Sequence, residues 1–276
     1  MTVTDKPREP VWRLYRGRLL LIGGLGVAAI VVLFCLPPLP QPLSYHHFAD
    51  DRTLLAVPNF FNVVSNVPFL LVGVWGLWCV LHRQTETGSP FVDPVERRPF
   101  VLFFLGVGLT GLGSAYYHLE PNNDRLVWDR LPMVVAFMSL FVAVLGERID
   151  VRFGIGLLLP LVALGIGSVW YWHASEQHGR GDLRPYYFVQ FYPMLALPLL
   201  LLLLPPRYTR TSDLFIALGW YVLAKVCEHP GDHRVYELGH VVSGHTLKHL
   251  AAATAAYWIL RMLQHRRSSA LPEPRP

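Results

Sequence analysis

The stretch Phe100-Val-Leu-Phe-Phe-Leu-Gly-Val-Gly-Leu-Thr-Gly-Leu-Gly-Ser-Ala-Tyr-Tyr-His118 decides the fold class of this 276-residue chain. It carries no Asp, Glu, Lys or Arg over nearly the ~20 residues that a helix needs to cross a bilayer, and it stops at Glu120-Pro121-Asn122-Asn123. Comparable runs recur at Leu19 to Leu36, Phe60 to Leu81, Leu126 to Gly146, Phe153 to Trp172, Tyr186 to Leu204, Leu214 to Val226 and Val241 to Leu263. The composition agrees, being 53% hydrophobic and 16% charged where a soluble domain is roughly a quarter charged. The chain therefore reads as an all-α, polytopic membrane protein with about eight transmembrane helices.

The first run follows Arg13, Arg16 and Arg18 in the manner of a signal peptide. It is longer than the 7–15-residue apolar segment of such a signal, and Pro37, Pro38, Pro40 and Pro42 stand where a cleavage site would be. A retained helix is expected. Basic residues then set the orientation. Lys6, Arg8, Arg13, Arg16 and Arg18, the Arg97-Arg98 loop, Arg148 and Arg152, Arg207 and Arg210, and Arg266-Arg267 all fall on one side of eight spans. Both termini are expected to be cytoplasmic. The net charge of +5 is thus a topology signal rather than a nucleic-acid surface. Cys35, Cys79 and Cys227 are isolated and odd in number, which points to packing rather than to disulfides or thiolate metal sites.

Against this apolar background, Ser114-x-x-x-His118, Asp129 and His245-x-x-x-His249 need a reason. Residues four apart lie one turn above each other and about 40° apart on a helix, so each pair shares a face. The expected topology puts all of them in the outer-leaflet half, with His245 and His249 roughly 6–12 Å below the surface at 1.5 Å per residue. His240, about 180° from His249 and about 140° from His245, is left out of the constellation. Catalytic Zn²⁺ typically takes three protein ligands and keeps a position open for water. His118, His245 and His249 would supply them, and a carboxylate such as Asp129 is easier to tolerate inside a bilayer beside a cation. The bland alternatives are helix–helix hydrogen bonds for the His pair, small-residue packing for Ser114 and a helix cap for Asp129.

At these residues the chain resembles the alkaline ceramidase family of the CREST superfamily of seven-helix membrane hydrolases, as a bacterial-type member. Gly113-Ser-Ala-Tyr-Tyr-His118, Asp129-Arg-Leu-Pro-Met133 and His245-Thr-Leu-Lys-His249 match its Ser-x-x-x-His, Asp and His-x-x-x-His elements in order and spacing, and Asn59-Phe-Phe-Asn-Val-Val-Ser-Asn66 looks like the start of its first core helix. The resemblance implies a seven-helix core over residues 59–264. Residues 1–58 would hold an N-terminal tail, an extra transmembrane helix and a Pro-rich external loop, and residues 265–276 a cytoplasmic tail. It implies zinc on His118, His245 and His249, with Asp129 and Ser114 as catalytic groups beside the metal-bound water. Related ceramidases also bind calcium just before the first core helix. Here Asp50 and Asp51 lie in that region, but Asn59 stands in place of a Glu ligand, so a solvated acidic loop is the expected reading.

The expected activity is zinc-dependent hydrolysis of the amide of ceramide or a related N-acyl lipid, drawn from the membrane and split into a fatty acid and an amine base. Lys225 and Glu228 are read as an ion pair or as the cavity mouth. Trp170, Tyr171 and Trp172 are read as an interfacial aromatic belt, His173 and His178 as loop residues beside it, and Pro132 as part of the first turn of its helix. The rivals are a receptor of the progestin and adiponectin type, a phospholipid esterase of the same superfamily, and a metal transporter. The transporter needs polar residues through both leaflets, and the inner halves of these runs nearly lack them.

Overall fold

The computed structural model describes residues 11–82, 90–229 and 231–269. Lys6, Arg8 and residues 270–276 of the expected tails lie outside the described residues. The apolar runs become α1 (Arg16–Cys35), α2 (Phe60–Val64), α3 (Val67–His82), α4 (Arg97–Leu119), α5 (Asn123–Arg148), α6 (Val151–Gln177), α7 (Arg184–Leu203), α8 (Thr211–Glu228), α9 (Gly231–Glu237) and α10 (Gly244–His265). No strand occurs among the described residues. Six segments are long and apolar enough to cross a membrane: α1, α2 with α3, the turn before α4 with α4 itself, α5, α6 and α7. The two other long helices, α8 and α10, carry Asp213, Lys225 and Glu228 or Lys248 and Arg261. Those charges pair with one another inside the bundle.

α1 stands apart from the rest. Only Ile22 and Gly26 are buried on it, both against α7, where the Tyr192 hydroxyl donates to the Ile22 carbonyl at 3.0 Å. The remaining helices pack as a bundle, and small residues let their backbones approach, as membrane helices generally require. At Gly113 on α4 a methyl would run into the Trp128 carbonyl oxygen of α5, and at Gly73 on α3 it would meet the backbone of Gly108.

Polar side chains set the helix ends. Asn122 accepts from the Arg125 N–H at 2.9 Å, Asp150 from Phe153 at 2.9 Å and Ser243 from Thr246 at 3.1 Å, each satisfying an otherwise orphaned donor. The Asn122 cap starts α5 at Asn123, earlier than the apolar run suggests. Pro132 therefore falls inside the helix rather than in its first turn.

The two ends of the bundle differ. At one end Arg148 donates to the Leu204 carbonyl and to Thr211, Arg266 pairs with Glu147 and donates to the Pro90 carbonyl, and Arg207 pairs with Glu96. At the other end the connector between α1 and α2 folds over the helix termini. Leu39 accepts from the Leu183 N–H at 2.8 Å, and the Gln41 N–H donates to Glu176 at 2.5 Å.

Candidate metal and active site

Beneath that connector the last turn of α4 and the first turns of α10 meet. His118, His245 and His249 are 0%, 4% and 3% exposed, and one ring nitrogen from each lies within 4.8 Å of the others. Their ring centres are 4.8 to 5.0 Å apart, and Nε2 of His118 is 3.3 Å from Nε2 of His245. The Phe48 ring covers His118 and His245 at 4.7 and 4.6 Å.

Each imidazole is positioned by groups distant in sequence. Asn59 donates to the His118 carbonyl at 2.9 Å. Asp232 on α9 accepts from the backbone N–H of His245 at 2.8 Å and from that of Ala49 at 3.0 Å, tying α10 to the connector. Ser65, in the break between α2 and α3, sits 2.7 Å from Nδ1 of His249 and donates its proton to the Asn62 carbonyl at 3.2 Å. The serine oxygen is then the acceptor, the proton sits on Nδ1, and the Nε2 lone pair of His249 is free. Support of this kind is what fixes the tautomer of a metal-bound histidine.

The buried Nε2 of His249 and Nδ1 of His118 meet no hydrogen-bond partner in the protein. Buried ring nitrogens without partners are costly, and three converging imidazoles are a donor set that suits a divalent metal such as zinc. The residues present therefore fit a metal ion.

Ser114, one turn before His118, is 2% exposed, and Asp129 is 7% exposed. The Ser114 hydroxyl lies beside the Asp129 carboxylate. Because α5 begins at Asn123, Asp129 lies in its second turn rather than its first, and it serves as no cap. Ser114, Asp129 and His249 line a cavity of ≈ 480 Å³ together with Lys225, Glu228 and Lys248. Glu228 holds Lys225 at 2.7 Å and Lys248 at 3.3 Å, and accepts from the Tyr45 hydroxyl at 3.1 Å. Lys225 and Glu228 thus form an ion pair and also line the cavity. From this polar end the cavity continues between α4, α5, α7, α8 and α10 past Phe137, Met194 and Leu218 to Val144, Leu201 and Ile259. Fifteen residues of α5 separate Asp129 from Val144, roughly 22 Å at 1.5 Å per residue.

In the connector, burial pushes His46 below its ordinary value of 6.5. Its ring nitrogens meet the Tyr117 hydroxyl and the Asn123 amide oxygen, each at 2.9 Å. Burial and the Glu228 carboxylate push the Tyr45 phenol up. Both carboxylate oxygens of Asp50 are held by Arg52 at 2.7 Å, Asp51 is exposed, and Asn59 is engaged with His118 as above. His240 is exposed after α9. His173 and Trp172 both lie within α6, where Trp172 is wholly buried rather than part of a belt with exposed Trp170 and Tyr171.

Ser65, Arg130 and Lys248 lie inside the stretches that carry the resemblance but have no role in it, and Tyr45 and Asp232 carry no motif in the sequence. Lys248 alone had a detectable signal, a cation between two histidines inside an apolar helix. Its Nζ lies 2.9 Å from Nε2 of His245.

The sequence profile of the Ceramidase family matches residues 53–197, just over half of the chain. The chain is also 25% identical over 99 residues to "Putative alkaline ceramidase dcd3A" of Dictyostelium discoideum, a match that covers 33% of this chain and 34% of that protein. The chain belongs to the ceramidase family, as a multi-pass membrane protein.

Proposed function

We propose that this ceramidase-family protein hydrolyses the amide bond of ceramide or a related N-acyl lipid, with Zn²⁺ held by His118, His245 and His249. The observation that carries the reading is the meeting of three buried imidazoles, one tautomer-locked by Ser65, with Asp129 and Ser114 in the wall of a largely apolar cavity. A bound zinc ion supplies Lewis acidity and lowers the pKa of water towards neutrality. Asp129 takes the proton of the attacking water at a carboxylate oxygen and passes it to the departing nitrogen. Ser114 stands beside Asp129 and gives its one hydroxyl proton to the carbonyl oxygen as charge develops there, once Asp129 has taken the proton of the water. The apolar limb takes the acyl chain and keeps bulk water from it.

The arginines gathered at the opposite end support a topology with both termini cytoplasmic and the site in the outer-leaflet half, by the positive-inside rule. The seven long segments after α1, with α2 and α3 taken as one and the short α9 left aside, form the catalytic core, and α1 is an added anchor. The test is metal analysis of the purified protein together with fatty-acid release from ceramides, other N-acyl lipids and phospholipids, with and without chelator. One zinc per chain and chelator-sensitive amide hydrolysis are expected, both lost in His249→Ala. Full activity in that variant overturns the scheme, and release from phospholipids alone makes the protein an esterase.

A further inference from the structure

Next to Asp129 the chain buries a guanidinium that no carboxylate answers. Arg130 is 4% exposed and lines the same cavity. Its guanidinium carbon lies 4.2 Å from the Trp172 ring centre, 4.5 Å from that of Tyr186 and 5.6 Å from that of Tyr45. One terminal nitrogen, NH2, donates to the Gln41 amide oxygen at 2.6 Å. The other, NH1, is buried and meets no acceptor. Among the described residues no carboxylate pairs with Arg130.

A guanidinium stays charged in any protein environment, and a buried charge is normally paired. Aromatic faces offset part of that cost but accept nothing from NH1. The other buried arginines each lack only one of these two partners. Arg148 has no paired carboxylate but directs its terminal nitrogens at carbonyls and at Thr211, and Arg266 leaves its NH2 without an acceptor but has Glu147. At the polar end of the cavity Arg130, Lys225 and Lys248 face only two carboxylates, Asp129 and Glu228, and both lysines already share Glu228. The wall therefore holds one positive charge too many before any metal is counted.

We infer that Arg130 is an anion subsite and that the amine half of the lipid substrate carries a carboxylate or a phosphate, which accepts from NH1. This rests on the hydrolase reading of the site. With the acyl chain in the apolar limb and the amide at Asp129, the group beyond the nitrogen is directed to the end lined by Gln41, Tyr45 and Arg130. An anion a few bonds from the amide nitrogen fits there, as in an N-acyl α-amino acid or a ceramide phosphorylated on its terminal hydroxyl. A neutral hydroxyl can accept from NH1 but leaves the charge unanswered. The aromatic clamp favours Arg over Lys, because the rings stack on the planar guanidinium while NH1 keeps a donor without an acceptor.

The test uses the full chain in lipid nanodiscs and two matched pairs: N-palmitoylglycine against its primary amide, and ceramide 1-phosphate against ceramide. Fatty-acid release and equilibrium binding, read by tryptophan quenching, are measured for both. The anionic member of one pair is expected to be favoured by about tenfold or more, as one charge-assisted hydrogen bond allows, and the pair that shows it identifies carboxylate or phosphate. In Arg130→Gln that ratio falls to within about twofold of one, and in Arg130→Lys it falls part of the way. Should Arg130→Gln fail to fold, the wild-type ratios and Arg130→Lys still decide. If neither pair is hydrolysed the hydrolase reading fails, while the binding ratios still test the subsite. Equal binding and turnover of both members in both pairs overturns the inference.

Discussion

The Ser65 hydroxyl lies 2.7 Å from Nδ1 of His249, although 184 residues separate them. The contact exists because the chain breaks between α2 and α3, which turns Ser65 from a helix interior into a side chain aimed at α10. Its oxygen, already donating to the Asn62 carbonyl, leaves Nε2 of His249 as the free nitrogen. Ser65→Ala removes that constraint without touching a proposed ligand. Metal affinity is expected to fall by about 10- to 100-fold, the usual cost of losing such support, with the fold retained. Competition against a zinc chelator of known affinity measures it, and unchanged affinity would show that the tautomer is set elsewhere.

At Gly113 α4 lies so close to α5 that an added β-carbon would run into the Trp128 carbonyl oxygen. Ser114 and Asp129 are the next residues on the two helices. Gly113→Ala should separate them by a fraction of a helix diameter and reduce kcat by about a hundredfold, because misplacement by an ångström costs that much. KM is expected to change little, as the apolar limb lies further along the bundle.

Asp232 accepts from two backbone N–H groups, those of His245 and Ala49. Asp232→Ala leaves both without a partner in a largely buried place. The expected loss of stability is about 3 kcal/mol, from two unsatisfied donors, seen as a lower unfolding midpoint in detergent. Metal binding should weaken too, since the first turn of α10 carries His245.

His46 joins the connector to α4 and α5 through both ring nitrogens. Burial lowers its proton affinity in the folded protein below the ordinary 6.5, so the unfolded chain takes up a proton first as pH falls. The stability that His46 contributes is complete above about pH 6.5 and declines as pH drops below it towards the lower folded value. Protection of the amides of residues 43–48, taken relative to their intrinsic exchange rates, should fall on acidification through that range. His46→Gln should remove this fall, and protection that is indifferent to pH in the wild type would refute the role.

The helices were legible because a bilayer leaves few alternatives to an apolar run of about twenty residues. The pairs Ser114 with His118 and His245 with His249 were legible because a helix puts residues four apart on one face. What escaped depends on partners brought together only by folding. Ser65 and Asp232 are unremarkable in the sequence and gain their roles from α10. Trp172 has the composition of a belt residue, yet it is buried in a cluster with Leu126, Val169 and Tyr186, with Arg130 stacked on its ring. Pro132 and Asp129 sit deeper in their helix than the apolar pattern indicates, because a capping asparagine, not hydrophobicity, fixes where α5 begins.

The cavity is charged at one end and oily along the rest, and in the proposed reaction this asymmetry sorts the two products. Once the amide is cut, the fatty acid lies in the apolar limb and the amine among the polar groups beneath the connector. Each leaves most readily in its own direction, one into the bilayer and the other towards water. Re-encounter is then slow, and hydrolysis is drawn forward by partition as well as by the chemistry of the bond.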